Sequence, residues 1–318
     1  MLAYLGATVP LKKLLCDPPN SLVNQAKAPR HHPLLQLAGW GFALWSKDHV
    51  DPLKPLLYKR ACAAFFDDNL NTLVPSLCGE LVLAHVRAAN YRAEGLIADE
   101  NCHPFNFEGA PWILAHNGFI LDWRGMQAEL FSKCDERWMV QRKGTTDTEL
   151  VYALFLSLLQ ESSDPFDFDN LCQACRDLLD LLQSTRRKLK HKKPMKLKLI
   201  LAAPDRLFAI NYGADENGDV HLTGDLDVLR GFPIGSPEFL KSTILEPLYF
   251  QLGRDYDRCA RHFELDSCKN KAINAVLIAS EPLTDDESLW EQLHFGQALL
   301  VERKASGHCS FQRRNVFS

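Results

Sequence analysis

Short apolar runs separated by glycine, proline or polar clusters recur along the chain, and this pattern is typical of β-strands. The runs occupy residues 2–6, 39–45, 55–58, 81–84, 197–203, 207–212, 274–280 and 297–302. The run at 81–84 has no polar alternation, which is the pattern of a strand covered on both faces. The runs at 197–203 and 207–212 are joined by Ala203-Pro204-Asp205-Arg206, and together they predict a hairpin.

Two longer stretches predict helices. Residues 148–160 are apolar on almost every face, which indicates a buried helix, and Thr146-x-x-Glu149 ahead of them fits a capping box. Residues 168–189 predict an amphipathic helix. Many strands with a few long helices, and no regular alternation of strand and helix, favour an α+β fold over a doubly wound parallel sheet.

A further strand, turn and strand are predicted at residues 112–115, Asn117-Gly118 and residues 119–120. Asn-Gly between two apolar runs is a strong signal for a tight hairpin turn. We therefore expect a turn at this pair.

Composition limits the class of protein. The chain has 318 residues, 46% of them hydrophobic and 24% charged, which is typical of a soluble globular protein. A net charge of −4 argues against a nucleic-acid or anionic-membrane partner, and no apolar run approaches the roughly 20 residues that span a bilayer. We expect a cytoplasmic protein with one domain at residues 1–303 and a polar, frayed C-terminal tail at residues 304–318.

The cysteines and the basic residues do not predict a site. The ten cysteines are scattered, so reduced thiols are expected, and Cys172-x-x-Cys175 is interpreted as two cysteines on the inner face of a helix. No second pair with ligand spacing accompanies them, so no metal site is predicted. Residues 186–198 carry eight Lys or Arg residues and could dock an anionic partner, but a solvated helix end is the favoured interpretation.

Four short motifs place a cation, an amide donor and a carboxylate at strand ends and at a helix start. They are His85-Val86-Arg87, Glu100-Asn101-Cys102-His103-Pro104-Phe105, Ala115-His116-Asn117-Gly118 and Gly144-Thr145-Thr146-Asp147-Thr148-Glu149. These are the groups needed to hold an amino acid by both its carboxylate and its ammonium group.

In that order, the motifs resemble those of the class II glutamine amidotransferases, an N-terminal-nucleophile family. The resemblance is dense over residues 2–160 and weaker afterwards. It is nearest to the stand-alone amidohydrolases, such as the ergothioneine-pathway γ-glutamyl amidohydrolase and subunits of a glutathione-degrading complex. It implies the four-layer αββα sandwich of that class and no cofactor.

The resemblance also implies roles for individual residues. Arg87 would bind the substrate α-carboxylate, since a guanidinium makes a two-point contact that an ammonium cannot. Asp147 would bind the substrate ammonium group. The side-chain amide of Asn117 and the backbone N–H of Gly118 would form the oxyanion hole. Each residue also has a structural interpretation, such as an ion pair, a helix start or a turn.

The segment around His103 is interpreted as a wall of the pocket, with His103 and Thr146 assigned to substrate binding. A Cys102–His103 dyad is disfavoured because adjacent residues of an extended chain face opposite sides. His85 and His116 are interpreted as hydrogen-bonded structural histidines.

Two positions depart from the family. Ala38 replaces the usual aspartate before Gly-[Trp/Phe]-Gly. Family members begin Met-Cys-Arg, and the cysteine exposed by removal of Met attacks with its own α-amino group as the base, for which a reference pKa of about 7.7–8.0 is suitable. Met1 aligns with the apolar residue after that arginine, so we expect the printed chain to lack the nucleophile and to be inactive. The favoured explanation is a start called at an internal Met codon, with the full protein beginning Met-Cys-Arg-Met-Leu. The alternative is a pseudoenzyme that binds glutamine-like ligands without cleaving them.

Three functions follow from this reading. The favoured one is hydrolysis of glutamine or another γ-glutamyl amide through a cysteine thioester. The alternatives are a catalytically inactive glutamine-binding or regulatory subunit, and an ammonia-supplying subunit of a two-protein amidotransferase. A small-molecule γ-glutamyl substrate is expected, and a homo-oligomer or a partner subunit is left open.

Overall fold

A computed structural model describes the chain at residues 1–31, 35–89, 97–160, 162–222, 224–226, 228, 232–233, 236–256, 265–266 and 273–317. Most strands of this part of the chain belong to two antiparallel sheets. The predicted α+β class is confirmed, and the order of layers follows from which face of each sheet the helices cover.

The larger sheet, sheet A, has β1 near its centre, paired with β10 on one side and with β4 on the other. Its order is β11-β8-β10-β1-β4-β2-β3, with β9 paired to β8. The bounds are β1 Leu2–Pro10, β2 Trp40–Trp45, β3 Leu56–Arg60, β4 Cys78–Val86, β8 Leu248–Tyr256, β9 Leu265–Asp266, β10 Ala275–Ala279 and β11 Glu291–Leu293.

The smaller sheet, sheet B, has five strands in the order β13-β12-β7-β6-β5. The bounds are β5 Ile113–Ile120, β6 Met195–Ala203, β7 Arg206–Ala214, β12 Gln297–Arg303 and β13 Cys309–Asn315. The predicted hairpin is β6 and β7, and its turn contains Asp205 with a positive φ of 57°. Asp205 adopts this backbone more readily than a β-branched residue would.

Eight α-helices are described. The bounds are α1 Leu11–Leu15, α2 Leu22–Lys27, α3 Asp68–Leu73, α4 Trp123–Phe131, α5 Glu136–Met139, α6 Asp147–Leu159, α7 Phe168–Leu189 and α8 Pro237–Leu245. The predicted α6 and α7 are both found. No helix in the described ranges is long and apolar enough to cross a membrane.

Alternation of side chains along the strands builds three apolar layers. One face of sheet A packs under α1 and α2, and one face of sheet B packs under α4 to α7. The remaining faces meet in an inter-sheet core to which Met1 and the β1 residues Ala3 and Leu5 contribute. Helices therefore cover both outer faces of two stacked sheets, which is the four-layer αββα arrangement.

The expectation of a frayed C-terminal tail is wrong. β13 pairs with β12 over seven positions, from Gln297↔Asn315 to Arg303↔Cys309. Beyond it, Val316 is buried in the core under the helices, and the Phe317 ring stacks on Tyr212 at 5.4 Å. Cys309 is the only buried residue of β13. The sequence of this strand therefore has no apolar period that would predict it.

The interpretation of residues 186–198 as a solvated helix end is wrong for three of its cations. Arg186 is buried and donates hydrogen bonds to the Gln183 side chain and to backbone carbonyls. Lys196 and Lys198 lie on β6, each only 1% exposed. Alternate strand positions share a face, so both lysines point into the inter-sheet space.

Candidate functional site

β5 lies at the edge of sheet B and leaves one side of its backbone open. The Ile120 N–H donates to an Asp147 carboxylate oxygen at 2.8 Å on that side, and the Leu114 N–H donates to the Phe105 carbonyl at 3.0 Å. Successive N–H groups of a strand alternate in direction, so the Gly118 N–H faces the same open side. No described residue accepts a hydrogen bond from it.

The predicted turn at Asn117-Gly118 is wrong, because both residues lie within β5. Asn117 pairs with Lys198 and Gly118 with Leu197, in a ladder that runs without a break from Ile113 to Ile120. Pairing with β6 overrides the local turn preference. The Asn117 side chain is half-buried, and its amide is bonded to no described residue.

His116 joins the end of β5 to the start of α6. Its Nε2 is 3.0 Å from the Lys196 carbonyl oxygen and its Nδ1 is 3.0 Å from Thr148 Oγ1. A carbonyl only accepts, so Nε2 is the donor and Nδ1 accepts from the threonine hydroxyl. Burial lowers the pKa of His116, against opposing effects of Asp147 and of the bond to Lys196. A neutral imidazole thus ties α6 to sheet B.

The start of α6 places Asp147 beside this edge. Thr146 is the N-cap, and its Oγ1 accepts from the Glu149 N–H at 3.4 Å. The second half of the predicted capping box is not formed, because the Glu149 carboxylate accepts from the N–H groups of Lys143 and Gly144 instead. The preceding loop is therefore folded back against the helix, and Asp147 begins the first turn.

His103 lies in the segment that faces this loop. The segment is fixed by Asn101 Oδ1, which accepts from the Thr145 N–H at 2.8 Å, and by the bridge between Phe105 and Leu114. The His103 ring centroid is 4.1 Å from that of His85. His103 Nδ1 is buried without a hydrogen-bond partner among the described residues.

Cys102 does not act with His103. Its Sγ lies 3.4 Å from the Arg60 carbonyl oxygen and 3.5 Å from that of Ala98. Burial raises the pKa of the thiol to about 11, so the reactive thiolate is scarce at neutral pH.

Arg87 follows the last residue of β4 and is buried. Its backbone pairs with Gly39 and Ala38. Its charge is among the effects that lower the pKa of His85 and of His103, after the larger effect of burial. The guanidinium therefore lies beside the two imidazoles.

His85 bridges the two sheets. Burial lowers its pKa most, followed by the N-terminal amine, His116 and Arg87, while a hydrogen bond to the His116 backbone raises it. The ring thus extends from β4 of sheet A to the open edge of β5 in sheet B. Through this contact the structure brings the predicted residues of both sheets to one end of the sandwich.

The N-terminal amine of Met1 lies at the same end and is fully buried. It donates to Ser280 Oγ at 3.0 Å, and the Met1 carbonyl accepts from the Ser280 N–H at 3.0 Å. Burial lowers the pKa of this amine to about 5, with Glu281 raising it and Lys198 lowering it further.

Sequence reasoning missed the buried charges beside this amine. Lys196 Nζ and Lys198 Nζ are each 3.5 Å from the same carboxylate oxygen of Glu246. The available signal was the pattern Lys-x-Lys inside an apolar strand, which puts both charges on one face. The solvated-helix-end interpretation of residues 186–198 does not take account of this pattern.

Two cavities of about 380 and 770 Å³ lie at the other end of the sandwich. The smaller is lined by residues near the ends of β1 and β6, such as Thr8 and Pro204. Neither is lined by any of the predicted site residues Arg87, His103, Asn117, Gly118, Thr146 and Asp147.

Two solved structures share this fold. A glutamine aminotransferase class-II domain protein from Silicibacter pomeroyi superposes with a TM-score of 0.59 at 21% identity, covering 98% of this chain and 96% of that one. An allosteric regulatory enzyme of purine biosynthesis superposes with a TM-score of 0.51 at 15% identity, covering 98% of this chain and 48% of that one. The fold is that of the N-terminal-nucleophile hydrolases.

Sequence comparison then gives the family. The family model for class-II glutamine amidotransferases matches residues 20–211, and this chain belongs to that family. The probable glutamine amidotransferase DUG3 of Saccharomyces cerevisiae is 26% identical over 313 residues, which cover 92% of this chain and 78% of that protein. The gamma-glutamyl-hercynylcysteine sulfoxide hydrolase of Mycobacterium tuberculosis is 32% identical over 121 residues, only 37% of this chain and 48% of that protein.

Proposed function

We propose that this protein hydrolyses a γ-glutamyl amide, either glutamine or a γ-glutamyl-blocked amine, through a thioester on an N-terminal cysteine. Membership of the class II family and the similarity to a γ-glutamyl hydrolase support the reaction class. The groups at the site end of the sandwich support the assignment of individual roles.

Arg87 and Asp147 would hold the glutamyl α-groups. Arg87 supplies a buried guanidinium at the end of β4, suited to a carboxylate. Asp147 uses one carboxylate oxygen to accept the Ile120 N–H, which fixes its orientation, and its other oxygen lies 3.5 Å from Thr148 Oγ1. That oxygen could accept from the substrate ammonium group, and the unpartnered His103 Nδ1 would add a polar contact.

The oxyanion would lie against β5. The Gly118 N–H faces the open edge, and the Asn117 side-chain amide is half-exposed on the next residue. Both are held by the ladder with β6, and donors fixed in place before reaction need little reorganisation as charge develops.

The register of β1 is the observation that carries the proposal. Leu2 pairs with Ala84 of β4 and with Ala279 of β10. If this antiparallel register continues beyond the start of β1, the position two residues before Met1 lies opposite Arg87. Alternate residues share a face, so that position also faces the space between the sheets, as Met1 does. A Met-Cys-Arg segment joined there, with its Met removed, would place the thiol beside the proposed carboxylate clamp.

The chemistry then has two steps. The cysteine amine takes the thiol proton, and the thiolate adds to the γ-carbonyl carbon while Asn117 and Gly118 bind the oxyanion. Collapse expels ammonia or an amine, which carries away the proton, and leaves a thioester. Water hydrolyses the thioester to glutamate and restores the thiol.

The test compares the printed chain with chains extended by Met-Cys-Arg and by Met-Ala-Arg. After mass spectrometry confirms a free N-terminal residue, glutamate release is measured from glutamine and a panel of γ-glutamyl amides. We expect turnover only from the cysteine-start protein, because the other two lack the nucleophile. A cysteine-start protein that binds glutamate but turns over no substrate would support the inactive binding subunit instead.

Arg87→Lys in the cysteine-start protein should raise KM at least about tenfold, because a point charge does not reproduce the two-point contact with a carboxylate. Arg60→Lys is the matched control, since Arg60 is an exposed arginine on β3. Steady-state kinetics on glutamine measure both. An unchanged KM for Arg87→Lys would remove Arg87 from the substrate site.

A further inference from the structure

Two buried histidines lie side by side at the site end of the sandwich, and each has a ring nitrogen without a partner. His85 is 6% exposed and His103 is 5% exposed, and their ring centroids are 4.1 Å apart. Nδ1 of both rings has no hydrogen-bond partner among the described residues. A buried polar atom without a partner costs free energy, so a small polar molecule that contacts both nitrogens would stabilise this end of the fold.

A glycine on β2 brings the two rings together. Gly41 pairs with His85 of β4, and a Cβ atom at position 41 would lie 2.5 Å from the His103 carbonyl oxygen. Because position 41 has no side chain, the segment around His103 lies directly on β2, and the His103 ring contacts His85. The Phe105 ring centroid is 4.9 Å from that of His103 and helps to hold the ring in this place.

The register of β1 places this histidine pair beside the position of the proposed nucleophile. One step beyond the pairing of Leu2 with Ala84, Met1 lies opposite His85 on the inter-sheet face. Diagonal neighbours on one face of an antiparallel pair are about 7–8 Å apart, and His85 is the diagonal neighbour of the position two residues before Met1. A molecule held by the two rings is therefore close to an acyl group carried on a cysteine at that position.

The chemistry of the two nitrogens selects water as the molecule they hold. Burial lowers the pKa of both histidines, so both rings are neutral, and each Nδ1 is either an N–H donor or a lone-pair acceptor. Water donates twice, accepts twice or does one of each, and so fits every tautomer, whereas a carboxylate needs two donors and an ammonium group needs two acceptors. Among the described residues, no third His, Cys, Asp or Glu joins the pair to form a metal site.

We propose that His85 and His103 are positioning residues that hold the hydrolytic water against their Nδ1 atoms, beside the thioester. This use of the pair rests on the proposed function. The water oxygen adds to the thioester carbon while the cysteine amine takes one water proton, so both imidazoles stay neutral. Collapse of the adduct breaks the C–S bond, and the thiolate takes the proton back from the ammonium group. The products are the free thiol and the γ-carboxylic acid of glutamate, which then ionises in solvent.

The first experiment offers the thioester a second nucleophile. While the cysteine-start protein turns over glutamine, hydroxylamine competes with water, and the ratio of γ-glutamyl hydroxamate to glutamate measures how well the water is placed, whatever the rate of acylation. His103→Phe keeps a ring and removes the nitrogen, so this ratio should rise about tenfold or more. His103→Gln, whose amide both donates and accepts, should bring the ratio most of the way back to the wild-type value.

Phe105→Leu is the matched control, because it disturbs the packing beside His103 without removing a nitrogen. Its ratio of hydroxamate to glutamate should equal that of the wild type. A ratio that does not rise in His103→Phe, or that rises equally in Phe105→Leu, would overturn the proposal. If His103→Phe does not fold, His85→Phe removes the other nitrogen of the pair and should raise the ratio in the same way.

The second experiment is a crystal structure of the printed chain, which tests the water site without catalysis. We expect an ordered water about 2.7–3.2 Å from Nδ1 of both His85 and His103, and its loss in His103→Phe. A metal ion at this place, or no density within hydrogen-bond distance of both nitrogens, contradicts the proposal. If the water is found but the cysteine-start protein turns over no γ-glutamyl amide, the proposed function fails and the water site does not.

Discussion

At position 118, a Cβ atom would lie 1.9 Å from the Lys196 carbonyl oxygen and 2.3 Å from His116 Nε2. The glycine is there for close approach within an extended strand, not for a turn. Gly144 is similar, since a Cβ there would lie 2.4 Å from Asn101 Oδ1. At the scale of residues, the motif glycines let three segments of the site pack against one another.

Gly118→Ala should lower the free energy of unfolding by roughly 1–3 kcal/mol, because the backbone of β6 cannot move away from the added methyl group without breaking its ladder. Gly125→Ala is the control, since the three atoms nearest its Cβ all belong to the His191 ring, the closest at 2.6 Å, and a side chain yields more readily than a strand backbone. Urea denaturation measures both. Equal stabilities for the two variants would show that β5 is not held closely against β6.

At the scale of elements, the sequence predicts the parts that bury a periodic apolar face. The amphipathic helix at residues 168–189 and the β6–β7 hairpin are found as expected, and four site motifs lie at one end of the sandwich. β13 escaped prediction because an exposed edge strand has no apolar alternation. The continuous β5 escaped it because the local Asn-Gly signal gives no information about the partner strand.

Val316→Ala tests whether the C-terminal segment is part of the folded core. We expect a loss of roughly 0.5–3 kcal/mol of unfolding free energy, since the Val316 side chain is buried under the helices. Phe311→Ala, at an exposed position of β13, should change stability by less than about 0.5 kcal/mol. Chemical denaturation gives both values. If Val316→Ala costs no unfolding free energy, the C-terminal segment is frayed and is not part of the folded core.

At the scale of the whole molecule, the two sheets meet at the site through neutral buried histidines. His85, His103 and His116 all lie where β4, β5 and α6 converge, and burial lowers the pKa of each. The sequence marks these residues as motif members but does not show their burial or their mutual contact, because both arise only when sheet A packs on sheet B. The Lys-x-Lys pattern of β6 shows that Lys196 and Lys198 share a face, but their burial likewise arises only when the sheets pack.

This arrangement makes the fold sensitive to acid. The unfolded histidines protonate near pH 6.5, whereas the folded ones resist protonation, so the unfolded state binds more protons below that pH. The contribution of the neutral histidines to the unfolding free energy should be fully present above pH 6.5. It should fall towards pH 5, by up to about 1.4 kcal/mol per pH unit for each histidine.

Below pH 6.5, His103→Gln should reduce the slope of unfolding free energy against pH by the amount that one proton contributes. His308→Gln, at an exposed position, should leave this slope as it is in the wild type. Urea titrations at a series of pH values provide the comparison. A slope that is the same in all three proteins would show that His103 protonates equally in the folded and unfolded states.

The double pairing of β1 has a consequence for any segment joined to its start. Successive residues of a strand face opposite sides of the sheet. Whether the number of added residues is odd or even therefore decides which face the first of them occupies. A residue two positions before Met1 faces the space between the sheets, whereas one or three positions before Met1 faces the layer of α1 and α2. Inserting a single residue would therefore turn a thiol away from Arg87 while leaving its chemistry and its distance along the chain almost the same.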